Sequence, residues 1–218
     1  YKIFEKEEFN LYRMLDSEAT KITFESKTFE LLNSSGQLFY AIEDNLVRLS
    51  LDGVYWYTLQ LPDTSDWPEA VYEVSGKLQI DCQNRTYLYD LNEIIGSVSQ
   101  LTNENTKYVK VNSNILGFDT PPVTESDRTL VPMRFLFEQL GAQVEWDEGS
   151  ATAIASQEGT TIQFSVDNTT ALVNGANKTM DVPARLVGDK TMIPLRFLTE
   201  ELGYTVQWDE ATKTVTIL

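Results

Sequence analysis

The chain contains no histidine, one cysteine, and 17 Lys/Arg against 33 Asp/Glu in 218 residues, a net charge of −16. Without histidine there is no imidazole acid or base, no Ser-His-Asp or Cys-His nucleophile, and almost nothing with which to build a copper or zinc site. No catalytic residue, metal ligand or cofactor is therefore expected. The lone Cys82 has no internal disulfide partner. In the alternating run Leu78–Leu91 it is expected as a small buried core residue, a redox-active thiol or intermolecular bridge being the other reading. Scarce cysteine fits the cytoplasm and a disulfide-free surface protein alike. The shortage of positive charge is even: 8 Lys/Arg against 17 Asp/Glu in residues 1–100, and 9 against 16 in 101–218. Such a surface repels phosphate backbones and anionic lipid, which argues against nucleic-acid and membrane-surface roles. No apolar run reaches the ~18 residues of a spanning helix, so no membrane insertion is expected. An Asp-x-Asp-x-Asp-Gly calcium loop and a Gly-rich phosphate loop are also missing. The chain opens on Tyr1 and not Met, as expected of a processed or excised product with any signal peptide or anchor outside it.

What is present is a repeat. Val131–Asp147 (VPMRFLFEQLGAQVEWD) returns 62 residues later as Ile193–Asp209 (IPLRFLTEELGYTVQWD). Pro132, Arg134, Gly141, Trp146 and Asp147 match Pro194, Arg196, Gly203, Trp208 and Asp209. Self-similarity at a fixed offset marks a repeated structural unit. Each copy predicts a strand (Tyr108–Val111; Thr170–Val173), a turn at Asn112-Ser113 or Asn174-Gly175, and a second short strand. A polar bend then precedes a helix of about ten residues that opens at proline and ends at glycine. Met133, Leu136, Phe137 and Leu140 form its apolar stripe, with Leu195, Leu198, Thr199 and Leu202 in the second copy. A hairpin follows, turning at Asp147 or Asp209, and a strand at Thr161–Val166 links the copies.

Residues 1–98 read as β structure. Gly36–Leu51 and Gly76–Leu91 echo each other 40 residues apart, with a fainter echo at Asn10–Asp16. The aromatic run Val54–Leu61 and a Pro/Asp loop lie between them. The pattern resembles bacterial propeller-like repeats, whose hairpins carry an Asn-Leu-Tyr-Arg-hydrophobic-Asp-Gly signature. Propeller blades or a smaller open antiparallel sheet both fit, the open sheet better, because two or three blades do not close a ring. Ser97–Thr106 is polar and reads as a linker.

The doubled Val/Ile-Pro-x-Arg-Phe…Leu-Gly-x-x-Val-x-Trp-Asp motif resembles the copper amine oxidase N-terminal-like domain over about residues 107–218. The resemblance implies tandem β-β-α-β-β units (107–160 and 161–218), each with an antiparallel sheet wrapped on a short helix. It also implies a non-catalytic accessory module of secreted or surface proteins of Gram-positive bacteria. The fold class expected is thus α+β, with the β-rich 1–98 segment ahead of the doubled domain.

Within the motif, Arg134 and Arg196 are expected to pair with Glu138 and Glu200 one turn on and with nearby loop carbonyls. The other reading makes them anion ligands. Trp146 and Trp208 are expected to seal the helix–sheet core, a sugar platform beside aspartate being the alternative. A rival binding platform is Tyr55, Trp56, Tyr57, Trp67 and Tyr72. The expected function is protein–protein contact or scaffolding. The alternative is recognition of cell-wall or dietary glycan by exposed aromatics.

Overall fold

The structure is a computed structural model that describes residues 12–15, 18–25, 31–34, 36–43, 45–101, 107–150 and 152–218. Asn10, Leu11 and Asp16 of the faint echo, Asp44, and residues 102–106 of the expected linker lie outside these. The chain divides into two compact units, Tyr1–Glu104 and Asn105–Leu218.

The first unit opens with the antiparallel hairpin β1 (Tyr12–Leu15) and β2 (Glu18–Phe24). An antiparallel sheet follows, made of β3 (Leu31–Ser34), β4 (Phe39–Glu43), β5 (Leu46–Ser50) and β6 (Tyr57–Leu59). A second contains β7 (Pro68–Val74), β8 (Lys77–Cys82) and β9 (Thr86–Asp90), and then comes helix α1 (Leu91–Leu101). Alternation buries one face of each sheet. Leu38, Tyr40, Ile42, Val47 and Leu49 share a core with Val71, Leu78, Ile80 and Cys82, closed by Ile94 and Val98 of α1. The 40-residue echo is thus spatial as well, since Leu38, Tyr40 and Ile42 occupy the same core as Leu78, Ile80 and Cys82. The two repeats differ where β6 would recur: that stretch of sequence lies in α1. The first five residues of the expected linker, Ser97–Leu101, are accordingly helical.

In the second unit the first copy supplies β10 (Tyr108–Val111), β11 (Asn114–Gly117), β12 (Val123–Glu125), β13 (Arg128–Pro132), helix α2 (Met133–Gln139), β14 (Gln143–Asp147) and β15 (Thr152–Gln157). Strand β16 (Thr160–Ser165) links to β17 (Thr170–Val173), β18 (Ala176–Thr179), β19 (Arg185–Val187), β20 (Lys190–Pro194), helix α3 (Leu195–Glu201), β21 (Val206–Asp209) and β22 (Thr214–Ile217). Each copy therefore has an additional hairpin where only a polar bend was expected. Ser126 and Asp127, both at positive φ, form the two-residue turn of the first, β12–β13.

The copies are intertwined. Their equivalent strands β13 and β20 pair antiparallel, and Val131 faces Ile193, its own counterpart. A pseudo-twofold axis therefore passes through that pair. On one side the strands of this unit run β11-β10-β22-β21, so the hairpin that ends copy two completes the sheet that copy one begins. There β10 and β22 are parallel, a departure from the expected all-antiparallel sheet. On the other side the order is β14-β15-β16-β17-β18, again drawn from both copies. Arg128–Asp181 (2.5 Å) and Lys190–Asp119 (4.0 Å) are the matching ion pairs across the axis.

The helices are shorter than expected, seven residues each, and proline sits one position earlier than the first helical residue. Pro132 (φ −56°, ψ 117°) ends β13 in extended geometry and hands the chain straight to α2, as Pro194 does for α3. Its fixed φ suits both conformations, and a missing N–H at a strand's last residue forfeits little. The ends match expectation. Gly141 (φ +86°) and Gly203 (φ +85°) close Schellman motifs: Gly141 N–H donates to Glu138 O and Ala142 N–H to Phe137 O, mirrored by Gly203 to Glu200 and Tyr204 to Thr199. The apolar stripe is buried except for the half-buried Leu202, and Phe135 is buried too, edge-on to Phe118 at 5.5 Å. Thr199 sits in the core because its hydroxyl donates back to the Leu195 carbonyl (3.1 Å).

Candidate functional site

The N-terminal aromatics do not form the expected platform. Val54–Leu61 is not one strand: Ser50 and Asp52 bind the amides of Gly53, Val54 and Tyr55 (2.8–3.0 Å) and turn the chain inward. Tyr55 and Trp56 are buried as a result, the Trp56 indole donating to Gly53 O (3.1 Å) beside Phe39. Tyr57 is half-buried against the core. Tyr72 is also half-buried, and its hydroxyl donates to Asp81 (2.6 Å). That bond raises the Tyr72 pKa and, with donors from Gln79 and Thr86, lowers that of Asp81. Trp67 stands out at 62% exposed, on a loop tied by Arg85 to Asp63 and Asp66. The structure thus keeps one of the five residues as an exposed aromatic.

The repeated motif behaves differently from its sequence reading. Arg134 and Glu138 are exposed, and no ion pair joins them among the described residues; Arg134 instead reaches Val144 O (3.5 Å). Arg196 is likewise exposed. Asp147 accepts from Gly149 N–H (2.9 Å) and the Ser150 hydroxyl (2.6 Å), and Asp209 from Ala211 N–H (2.9 Å) and the Thr212 hydroxyl (2.8 Å). These donors hold both carboxyls below the usual aspartate range. Both aspartates make turns.

The tryptophans lie at the rim of the core and do not seal it. Trp146 opposes the buried Ala153 and Trp208 the buried Val215, so both project from the core-facing side of their strands. Yet among the described residues β14 and β21 are edge strands, with no neighbour on the outer side to cover the indoles. Trp146 is 41% and Trp208 43% exposed. The acidic neighbours Glu145, Asp147 and Glu148 accompany the first, and Asp209 and Glu210 the second.

Copy one answers the tryptophan of copy two. Lys107 lies over the Trp208 ring (5.9 Å), and the Trp208 indole donates to Glu210 (2.8 Å). Thr169 stands at the sequence position equivalent to Lys107, and among the described residues no cation covers Trp146. Around Trp146 the chain offers an exposed indole and a strand edge unpaired among the described residues, with carboxylates next to it in sequence. This is recognition chemistry for a cationic, extended ligand. Periodicity places these side chains on strands; only the sheet order reveals that the strands are edges.

Cys82 is a buried free thiol, its pKa pushed up by burial. Among the described residues no helix is long and apolar enough to cross a membrane.

No curated relative matches the chain. One family model, the copper amine oxidase N-terminal domain, matches residues 110–217. The match is continuous across both copies, as suits two copies that share their sheets, and the family is an accessory domain without catalytic residues of its own. The C-terminal unit of this chain belongs to the copper amine oxidase N-terminal domain family.

Proposed function

We propose that the chain is a non-catalytic accessory module of the bacterial cell envelope or exterior. It holds a partner protein through the open edge of β14, with Trp146 as the anchor. The observation that carries this reading is the contrast between the two tryptophans: Lys107 occupies the Trp208 face, whereas among the described residues no cation covers the exposed Trp146, which Glu145, Asp147 and Glu148 flank in sequence. A basic, extended segment of a partner satisfies all three features, pairing with the edge backbone, stacking a cation on the indole and neutralising the acidic rim. A second copy of this chain is a poor occupant, because two such edges bring like charges together. The glycan reading loses its platform with the burial of Tyr55 and Trp56.

The test is titration of the protein with an extended Lys-rich peptide, followed by indole and amide NMR signals. The expected result is a salt-sensitive shift of the Trp146 indole and the β14 amides, lost in Trp146→Ala and kept in Trp208→Ala. A neutral peptide acting equally well, or a response untouched by Trp146→Ala, would overturn it. Fractionation of the source cell decides the compartment, cytoplasmic recovery standing against it.

A further inference from the structure

Independently of the β14 edge, the second unit holds a cleft of 660 Å³ at the end of α2. Leu140 and Gly141 form one wall and the β15–β16 turn, Glu158-Gly159, the other. We infer that this cleft binds a neutral saccharide.

The lining carries the inference. Asn112, Gln143, Ser156, Gln157, Thr161 and Tyr204 present amides and hydroxyls, and among the described residues the sole charged one in the lining is Glu158. Amide and hydroxyl side chains both donate and accept, which matches sugar hydroxyls, each likewise donor and acceptor. An apolar ligand finds little surface here, and an anionic one meets Glu158 within a chain of net charge −16.

The cleft is also built rigidly. The Tyr204 hydroxyl donates to Leu140 O (3.0 Å) and accepts from Gln157 Nε2 (2.8 Å), while Gln157 Nε2 also donates to Leu140 O (2.6 Å). This triangle satisfies a helix-end carbonyl and pins a half-buried aromatic ring in the wall. A fixed ring with surrounding amides lowers the ordering cost of binding. Gln157 Nε2 therefore serves to hold the wall together, and the ligand-facing donors and acceptors are those of the other lining side chains. Gly141 and Gly159 keep the rim low, and a Cβ at Gly159 would meet nothing within 4 Å. The repeat does not duplicate the ring: Ala142 occupies the position in copy one that Tyr204 holds in copy two.

The experiment is amide NMR of the whole chain with neutral gluco- and chito-oligosaccharides at millimolar concentration, and oligogalacturonate as the anionic contrast. The expected result is saturable shifts at Gly141, Gly159, Thr161 and Tyr204 with a neutral sugar, at least tenfold weaker with the anionic one. Tyr204→Ala should abolish them. Ser156→Glu, a change at an exposed side chain outside the Tyr204–Gln157–Leu140 triangle, should weaken binding at least tenfold with the fold intact. Silence in the cleft with every neutral sugar, shifts confined to Trp67 or Trp146, a response to neutral peptide alone, or binding unaffected by Ser156→Glu would each overturn the inference.

Discussion

Glu43 is buried to 2% exposure and faces Arg48, whose Nε lies 2.9 Å from Glu43 Oε2 at an angle too poor for a full hydrogen bond. Arg48 also donates to the Thr58 hydroxyl, tying β5 to β6. A buried ion pair contributes little net stability, but removing one partner weakens the compensation of the other's buried charge, at a cost of up to about 3–5 kcal/mol. Arg48→Ala is therefore expected to destabilise the first unit by up to about 3 kcal/mol, read as a lower denaturation midpoint. The double change Arg48→Met with Glu43→Leu should recover most of the loss. A single variant that melts like the parent would show that Glu43 is neutralised by other means. Neither residue stood out in the sequence, because 33 carboxylates give no sign of which one the fold encloses.

At the level of elements, local chemistry was the legible part. Gly141 and Gly203 announced their left-handed caps, Asn174-Gly175 its turn, and Asp147 and Asp209 theirs. Each depends only on neighbours a few residues away. What escaped notice depends partly on distant partners. Trp146 is exposed because β14 is an edge, whereas Tyr55 and Trp56 are turned inward by a local feature, the Ser50–Asp52 turn, that the aromatic alternation concealed. The hairpins ending at Pro132 and Pro194 have outer strands of three residues, too short for a period. The caps allow a clean test. A Cβ at Gly203 would meet nothing within 4 Å, so the cost of Gly203→Ala is purely conformational, about 1–2 kcal/mol for a left-handed residue bearing a Cβ. Gly203→Val should cost more, and Gly203→Asn should cost least, since asparagine tolerates that conformation. Equal melting of all three would remove the cap from the account.

For the whole molecule, acid is the informative variable. Asp63, Asp81, Glu125, Asp147, Asp209 and Glu210 all have pKa values lowered in the folded state by hydrogen bonds or ion pairs. For Glu125 the cause is Arg185, which grips it through two contacts of 2.9 and 3.0 Å. Groups with depressed folded values add stability above their unfolded values, 3.8 for Asp and 4.5 for Glu, and lose it as pH falls through the lower folded ones. Meanwhile protonation of other carboxylates relieves the self-repulsion of a chain with net charge −16. Denaturant midpoints should therefore hold steady or rise from pH 7 to about 5, then fall below about pH 4. A decline beginning near neutrality would contradict the pairing.

The strand exchange between copies sets the last expectation. A repeat at fixed offset reveals that a unit recurs, but not whether each unit closes on itself, since either arrangement produces the same spacing. Here neither does: β10 needs β22, β15 needs β16, and β13 needs β20. Residues 107–160 alone would expose the buried Leu130, Val131 and Leu136 and leave three strand edges unpaired. That fragment should be unfolded as a monomer, or fold as a dimer in which a second molecule supplies the missing strands. Mixed with 161–218 it should regain native circular dichroism at equimolar ratio. A monomeric 107–160 that melts cooperatively by itself would mean the copies are separable domains, and the continuous family match over 110–217 would then span two modules instead of one.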